Sequence, residues 1–327
     1  MQAIALEHPG KPDSLVLAEL PKPVPGPGEI LVRIRAVGLN PVDYKLLAGG
    51  LPTWKYPHVP GVDAAGIIEG IGEGVEQWKV GDSVVYHGDF TKPGAFAEYA
   101  VTTAHTAAVI PHGISFAAAA AFPCAGLTAY QALVRKMNIQ AGQTIFIHGG
   151  AGGVGGFAIQ IAKKFGAAKI ITSASAHNAE YVKSLGADEV IDYNSENVHE
   201  GIMRLTEERG VDLILNTVNR ATAQADLSAL AFGGQLVCIA GAPEVVADFQ
   251  PSVKTFTLHK LMLGGAHGSG NRQAELDLAK MAEEFQQLML SGDIDPMIGE
   301  TIRLDQIPAA LTRLSERHVR GKIVVEL

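Results

Sequence analysis

HGGAGGVGGFAIQIAKKFG, His148 to Gly166, holds six glycines in its first nine residues and then becomes an apolar periodic run. Such a stretch is either a flexible linker or a backbone cradle for a ligand, and its neighbours decide which. The apolar run Thr144–Ile147 precedes it and FAIQIAKK follows with helical spacing, so the glycines occupy a strand-to-helix turn. Gly150, Gly152 and Gly155 fit G-x-G-x-x-G in that context. The first glycine is expected to allow a tight turn, the second to admit a pyrophosphate, and the third to let helix and strand pack. Gly153 and Val154 then open a helix whose free N–H groups and positive dipole end suit phosphate. The expectation is a dinucleotide site.

Strand–helix alternation extends downstream: KIITSAS, AEYVKSLG, EVIDY, VDLILNT and GQLVCIAG predict βαβ units and a parallel sheet. Upstream, roughly 120 residues of short β-branched segments broken by Gly and Pro predict a β-rich domain, so the fold class is α/β. SFAAAAAFPCAGLTAYQALVRKM reads as helix, with Ala117–Ala121 as helix filler. After Lys260 the pattern predicts a strand near Leu261–Gly265, helices over Arg272–Leu290 and Ile307–Ser315, and a final strand, KIVVEL.

Composition narrows the function classes. With 327 residues and 47% hydrophobic content the chain can bury a sizeable core in two domains. Two cysteines, Cys124 and Cys238, exclude a disulfide framework and a Cys-rich zinc lobe. The formal charge of −8 carries no long single-sign run, which makes nucleic acid a poor partner. No apolar run approaches a membrane span, and no basic segment followed by an apolar one opens the chain, so the cytoplasm is expected.

The cofactor reading turns on the end of the next strand, where an NAD-binding unit places a ribose-binding carboxylate. Ala174 stands there, between Ser173 and Ser175 and close to His177. No acid is present to hold the ribose or repel a 2′-phosphate, which favours NADPH over NADH.

With its glycine loop behind a β-rich N-terminal half, the sequence resembles the medium-chain dehydrogenase/reductase superfamily, and within it the zinc-independent quinone oxidoreductase (zeta-crystallin-like) branch. VPGVDAAGIIEGIGEGV, KVGDSVV, GAFAEYAV, AGLTAYQAL, LGADEVIDY and RGKIVVEL carry the resemblance beside the glycine loop. It implies a GroES-like catalytic domain over 1–122 and 264–327, a Rossmann NADPH-binding domain over 123–263, a cleft active site, and a homodimer. Zinc-dependent members carry a cysteine and the histidine of a GHE motif where this chain has Asn40 and Val62. Valine ligates no metal, and His58, His87 and His105 read as solvated or structural, so no metal is expected. Without that Lewis acid the chemistry expected is hydride transfer from NADPH to a quinone or an α,β-unsaturated carbonyl.

The resemblance also implies site residues. Asn40 would lie beside the nicotinamide and ribose, with Tyr44 as a donor to substrate and Asp43 as the N-cap of a helix starting near Tyr44. Leu51 stands where enoyl-thioester reductases have a proton-donating tyrosine. Thr128 would face the nicotinamide, and Trp54, Cys124 and Tyr130 would line the substrate pocket, although core packing accounts equally well for Trp54 and Tyr130. Tyr193 and Asn178 fall near the adenosine phosphate, Asn178 where the branch often has a basic residue. Thr217, Val218, Ala240 and Gly241 would give backbone contacts, and Gly265 and His267 would meet the carboxamide. Two other readings stay open: an alcohol dehydrogenase with an unforeseen metal site, and a non-enzymatic NADPH-binding sensor or structural subunit.

Overall fold

The computed structural model describes residues 1–244, 254–317 and 319–327. The chain forms two compact units: Met1–Leu127 with Leu263–Gly292 and Pro296–Leu327, and Thr128–Met262 with Asp293–Asp295.

The first unit is built on a seven-stranded sheet centred on Glu29–Gly38, EILVRIRAVG, whose β-branched residues suit a sheet buried on one face. Antiparallel pairing sets Val37 opposite Ala64 of Asp63–Ile71 on one side and Val325 of Lys322–Glu326 on the other. That register brings the residues after Gly38 beside Asp63 and Lys322. Phe116–Ala121 is a helix capped by Ser115, whose hydroxyl accepts from the Ala118 N–H at 3.1 Å. Its alanines are more than filler: Ala119, Ala120 and Ala121 are buried, and a Cβ added at Gly38 would collide with the Ala120 carbonyl. Small residues on both sides let helix and strand backbones approach. Pro123 then splits the expected single helix, and Pro123–Tyr130 runs on into a π-helical turn, Gln131–Lys136.

Arg272–Leu290 is a helix as expected, capped by Asn271 and burying Leu278, Met281, Ala282 and Phe285. Phe285 stacks on Phe122 with ring centroids 4.8 Å apart.

The second unit is a six-stranded parallel sheet in the order Glu189–Asp192, Lys169–Ala174, Thr144–Ile147, Val211–Asn216, Leu230–Cys238, Phe256–Lys260. Sequence-adjacent strands diverge from the central Thr144–Ile147 in both directions, the doubly wound arrangement. Phe146, Ile171, Ile191, Ile214, Leu227 and Leu236 fill its core. The outer strand lies at Phe256–Lys260, earlier than the expected Leu261–Gly265, because pairing with Leu230–Cys238 runs from Gly234–Phe256 to Cys238–Lys260 and ends. Leu263–Ala266 is a 3-10 turn.

Candidate functional site

The glycine turn assigns its glycines differently from the motif's usual roles. Gly149, ahead of the motif, takes the positive φ of +66° that makes the tight turn. Gly150 is a packing position: a Cβ there would meet the Thr172 hydroxyl and, at 2.9 Å, Ile159 Cδ1. Gly155 faces the Gly149 carbonyl so closely that any side chain would overlap it. Gly152 differs. Its Cβ direction meets only the Gly149 carbonyl oxygen, at 3.4 Å, and it caps the helix Gly153–Lys164 with no side-chain hydrogen bond. The first N–H groups of that helix, from Gly153, Val154 and Gly155, thus face an open, uncapped end suited to an anion.

Polar side chains hold this loop from behind. The Gly149 N–H donates to Ser173 Oγ at 3.1 Å, so the buried Ser173 hydroxyl anchors the turn. His148 is buried and its Nε2 lies 2.8 Å from Asp226 Oδ1. Asn216 Nδ2 donates to the same carboxylate at 2.5 Å and to Thr222 Oγ1 at 2.9 Å. Thr217 Oγ1 donates to the His148 carbonyl at 3.0 Å, joining the expected Thr217 to this network.

At the end of Lys169–Ala174, Ala174 is buried and Ser175 and Asn178 are half-buried. His177 is exposed on the turn Ala176–Asn178, and Asn178 Nδ2 reaches Ser175 Oγ at 3.3 Å. Tyr193 is 55% exposed just past Glu189–Asp192. Val218 and Ala240 are exposed, and Gly241 is half-buried. Thr128 and Tyr130 are buried, and Arg135 lies over the Tyr130 ring.

In the first unit, the strand end at Gly38 and the helix Pro41–Leu47 converge on a buried polar cluster. Asn40, not Asp43, is the N-cap, because Pro41 starts the helix. Asp43 sits one turn in, and its Oδ2 accepts the Asn40 N–H at 2.7 Å. The Asn40 side chain is committed inward: Nδ2 donates to Gly38 O at 3.2 Å and Asp63 Oδ2 at 2.8 Å, and Oδ1 accepts from Lys322 Nζ at 2.6 Å. Its side-chain amide organises this cluster. Asp63 Oδ1 accepts the Cys124 N–H at 2.8 Å. Burial, reinforced by the charge of Asp63, pushes Asp43 up to about 8. Burial likewise raises Asp63 to about 7, against the pull of Lys322 and the Asn40 amide. Desolvation drives the half-buried Cys124 thiol well above its ordinary value.

His87, set aside on sequence, lies close to this cluster. One ligand atom from each of Asp63, His87 and Cys124 falls within 4.8 Å of the others, and His87 Nδ1 is buried without a partner. A metal fits poorly there. Both Asp63 oxygens already accept hydrogen bonds, and the Lys322 ammonium, 3.8 Å away, supplies the compensating positive charge. His267 Nε2 lies 3.0 Å from the His87 carbonyl and its ring stacks on His87, so this nitrogen is engaged within the fold. Gly265 is half-buried in the adjoining turn.

Residues 26–112 match the alcohol dehydrogenase GroES-like domain and residues 153–287 the zinc-binding dehydrogenase family. A quinone oxidoreductase of Pseudomonas aeruginosa is 33% identical over 97% of this chain and 96% of its own length. The chain belongs to the quinone oxidoreductase branch of the medium-chain dehydrogenase/reductase superfamily. The human quinone oxidoreductase is 28% identical over 95% of the chain and 92% of its own length. The crystal structure of Escherichia coli quinone oxidoreductase complexed with NADPH superposes with a TM-score of 0.89 at 29% identity, covering 100% of both chains.

The glycine turn and the carboxylate-free strand end stand where the sequence put them. In the GroES-like unit the sequence missed Lys322 and the importance of Asp63, whose only signal was a charged residue at the start of each of two apolar strands. Tyr44 is half-buried against the core, and Trp54 is buried, stacking on His58 at 3.9 Å and donating Nε1–H to the Phe90 carbonyl at 2.8 Å.

Proposed function

We propose that this chain is an NADPH-dependent reductase of quinones and α,β-unsaturated carbonyls that works without a bound metal. The observation that carries this reading is the uncapped helix start at Gly152, followed one strand later by Ala174 where a carboxylate would select against a 2′-phosphate. The Gly153, Val154 and Gly155 N–H groups would hold the pyrophosphate, and Ser175 and His177 would offer hydrogen bonds to the 2′-phosphate. The NADPH seen in the E. coli relative supports that choice. When bound, the cofactor supplies hydride; this chain's residues must then orient the acceptor and neutralise the charge that develops on its oxygen.

Asn40 and Val62 support the metal-free reading, since neither supplies the thiolate or imidazole of the zinc enzymes and Lys322 holds the positive charge at the neighbouring carboxylate. Metal analysis of the purified protein is expected to give far less than one zinc per chain. Loss of NADPH absorbance with 1,4-benzoquinone, 9,10-phenanthrenequinone and simple enones tests the activity. Tight NADPH binding with no turnover on any of them would refute it and favour a sensor. A homodimer is part of the proposal, supported by the outer strand Phe256–Lys260, which pairs on one side among the described residues, and by the exposed Phe232 and Met262. No helix among the described residues is long and apolar enough to cross a membrane, and we place the enzyme in the cytoplasm.

A further inference from the structure

The order of the parallel sheet reverses beside Thr144–Ile147: the next strand in the chain, Lys169–Ala174, lies on one side of it and Val211–Asn216 on the other. In sheets of this kind a ligand binds outside the carboxyl ends of the strands that flank the reversal. Those ends are His148, just past the first strand, and Asn216, the last residue of the second. A buried carboxylate joins them. Asp226, on the helix Arg220–Ala229, is 4% exposed; His148 Nε2 lies 2.8 Å from its Oδ1, and Asn216 Nδ2 donates to its Oδ2 at 2.5 Å. Ladder pairing of the two strands ends at Ile147 and Leu215, followed by one bond from the His148 N–H to the Leu215 carbonyl at 3.1 Å. Beyond it, side chains join the two loops. Thr217 Oγ1 donates to the His148 carbonyl, and Asn216 Oδ1 accepts the Val218 N–H at 3.0 Å. A buried carboxylate is a poor source of stability, because apolar side chains packed in the same volume often do as well, so its position at this junction points to geometry.

We propose that Asp226 is a positioning residue for the cofactor: through His148 it sets the glycine turn, and through Asn216 it sets the loop 216–219 that follows the neighbouring strand. This rests on the NADPH reading above. An ionised carboxylate only accepts hydrogen bonds, so His148 Nε2 carries the hydrogen, and one acidic group orients a ring and an amide at once. His148 opens the turn that leads to the Gly153, Val154 and Gly155 N–H groups. Asn216 leads into Thr217 and Val218, the backbone contacts expected from the second loop. The two loops would grip different parts of one dinucleotide, so the spacing between them decides how well it seats, and a network that fixes this spacing before binding removes the ordering that binding would otherwise require.

Asp226→Asn keeps the size of the side chain and turns one acceptor into a donor, which then meets the Asn216 amide NH2. NADPH affinity, read by the fluorescence of the bound cofactor with no acceptor present, should weaken about tenfold, the scale of one buried hydrogen-bonding group left without its partner. With 1,4-benzoquinone the KM for NADPH should rise while kcat at saturating NADPH stays within about twofold of wild type. Exchanging the pair, Asn216→Asp with Asp226→Asn, again sets a carboxylate against an amide and should bring affinity back to within about threefold of wild type. Asp212→Ala serves as the control for stability alone. It removes the Asp212 Oδ2 acceptor of the Thr144 N–H, a 2.8 Å tie between the same two strands at their other end, and should lower Tm with NADPH affinity unchanged. An Asp226→Asn protein that loses Tm yet binds NADPH like wild type, or an exchange that regains Tm without affinity, overturns the proposal. Should Asp226→Asn not fold, Thr222→Val decides, since it removes the hydroxyl that accepts from Asn216 Nδ2 at 2.9 Å: weaker NADPH binding supports the proposal, and equal affinity refutes it. Wild-type protein that binds NADPH and reduces no acceptor refutes the reductase reading and leaves Asp226 in its role; protein that binds no NADPH refutes both.

Discussion

Gly152 and Gly155 should separate binding from stability within one turn. Gly155 has no room for a Cβ because the Gly149 carbonyl already occupies the space, whereas Gly152 meets that carbonyl oxygen only at van der Waals range. Gly155→Ala should lower Tm by several degrees, as expected when about 1–3 kcal/mol of overpacking is forced on a tight site. Gly152→Ala should leave Tm nearly unchanged and weaken NADPH at least tenfold, because the methyl group intrudes where the pyrophosphate would approach. Calorimetry and NADPH fluorescence titration on both variants check the contrast; equal loss of stability would refute it. The sequence motif named these glycines but not their division of labour, which depends on Thr172, Ile159 and a backbone carbonyl that no spacing rule locates.

At the scale of elements, periodicity was a reliable guide where one face is buried and unreliable where backbones touch. Arg272–Leu290 shows a single apolar stripe, and the helix has the predicted limits. Phe116–Ala121 has no stripe because its alanines are chosen for thinness, so its close contact with Gly38 was invisible. Ala120→Leu should therefore cost about 1–3 kcal/mol, read as a lower urea midpoint, although leucine is a good helix former. The outer strand Phe256–Lys260 was misplaced by several residues because its limits are set by its neighbour's register and not by its own pattern. If that edge and its flanks form the subunit contact, Phe232→Asp with Met262→Asp should convert dimer to monomer in light scattering, with the far-UV CD spectrum retained.

On the scale of the whole molecule, the least legible feature is the polar cluster of the GroES-like unit. Lys322 and Asn40 are 282 positions apart in the chain, and only the closing strand brings them together. Its ionisation shapes the stability profile. Asp43 and Asp63 have folded pKa values of about 8 and about 7, above the 3.8 of the free group, so the folded state binds more protons than the unfolded state between these limits. Their contribution is fully present below pH about 4 and is lost as pH rises through 7 to 8. His58 and His87, lowered by desolvation to about 4 and about 3, act in the opposite sense and lose stability as pH falls below 6.5. Thermal scans should show a decline from pH 6.5 to 8.5, and Asp43→Asn should flatten it. A wild-type profile that rises across that interval would contradict the assignment.

The two thiols carry a consequence of their own. Quinones and enones are electrophiles that alkylate cysteine, but only as the thiolate. Desolvation keeps Cys124 protonated, and burial next to Asp226 drives Cys238 up to about 12. With the proposed acceptors, the burial of both thiols would protect the enzyme from poisoning itself. Intact mass after prolonged exposure to excess 1,4-benzoquinone at pH 7 should show both cysteines unmodified in the folded protein, and adducts on each once it is unfolded.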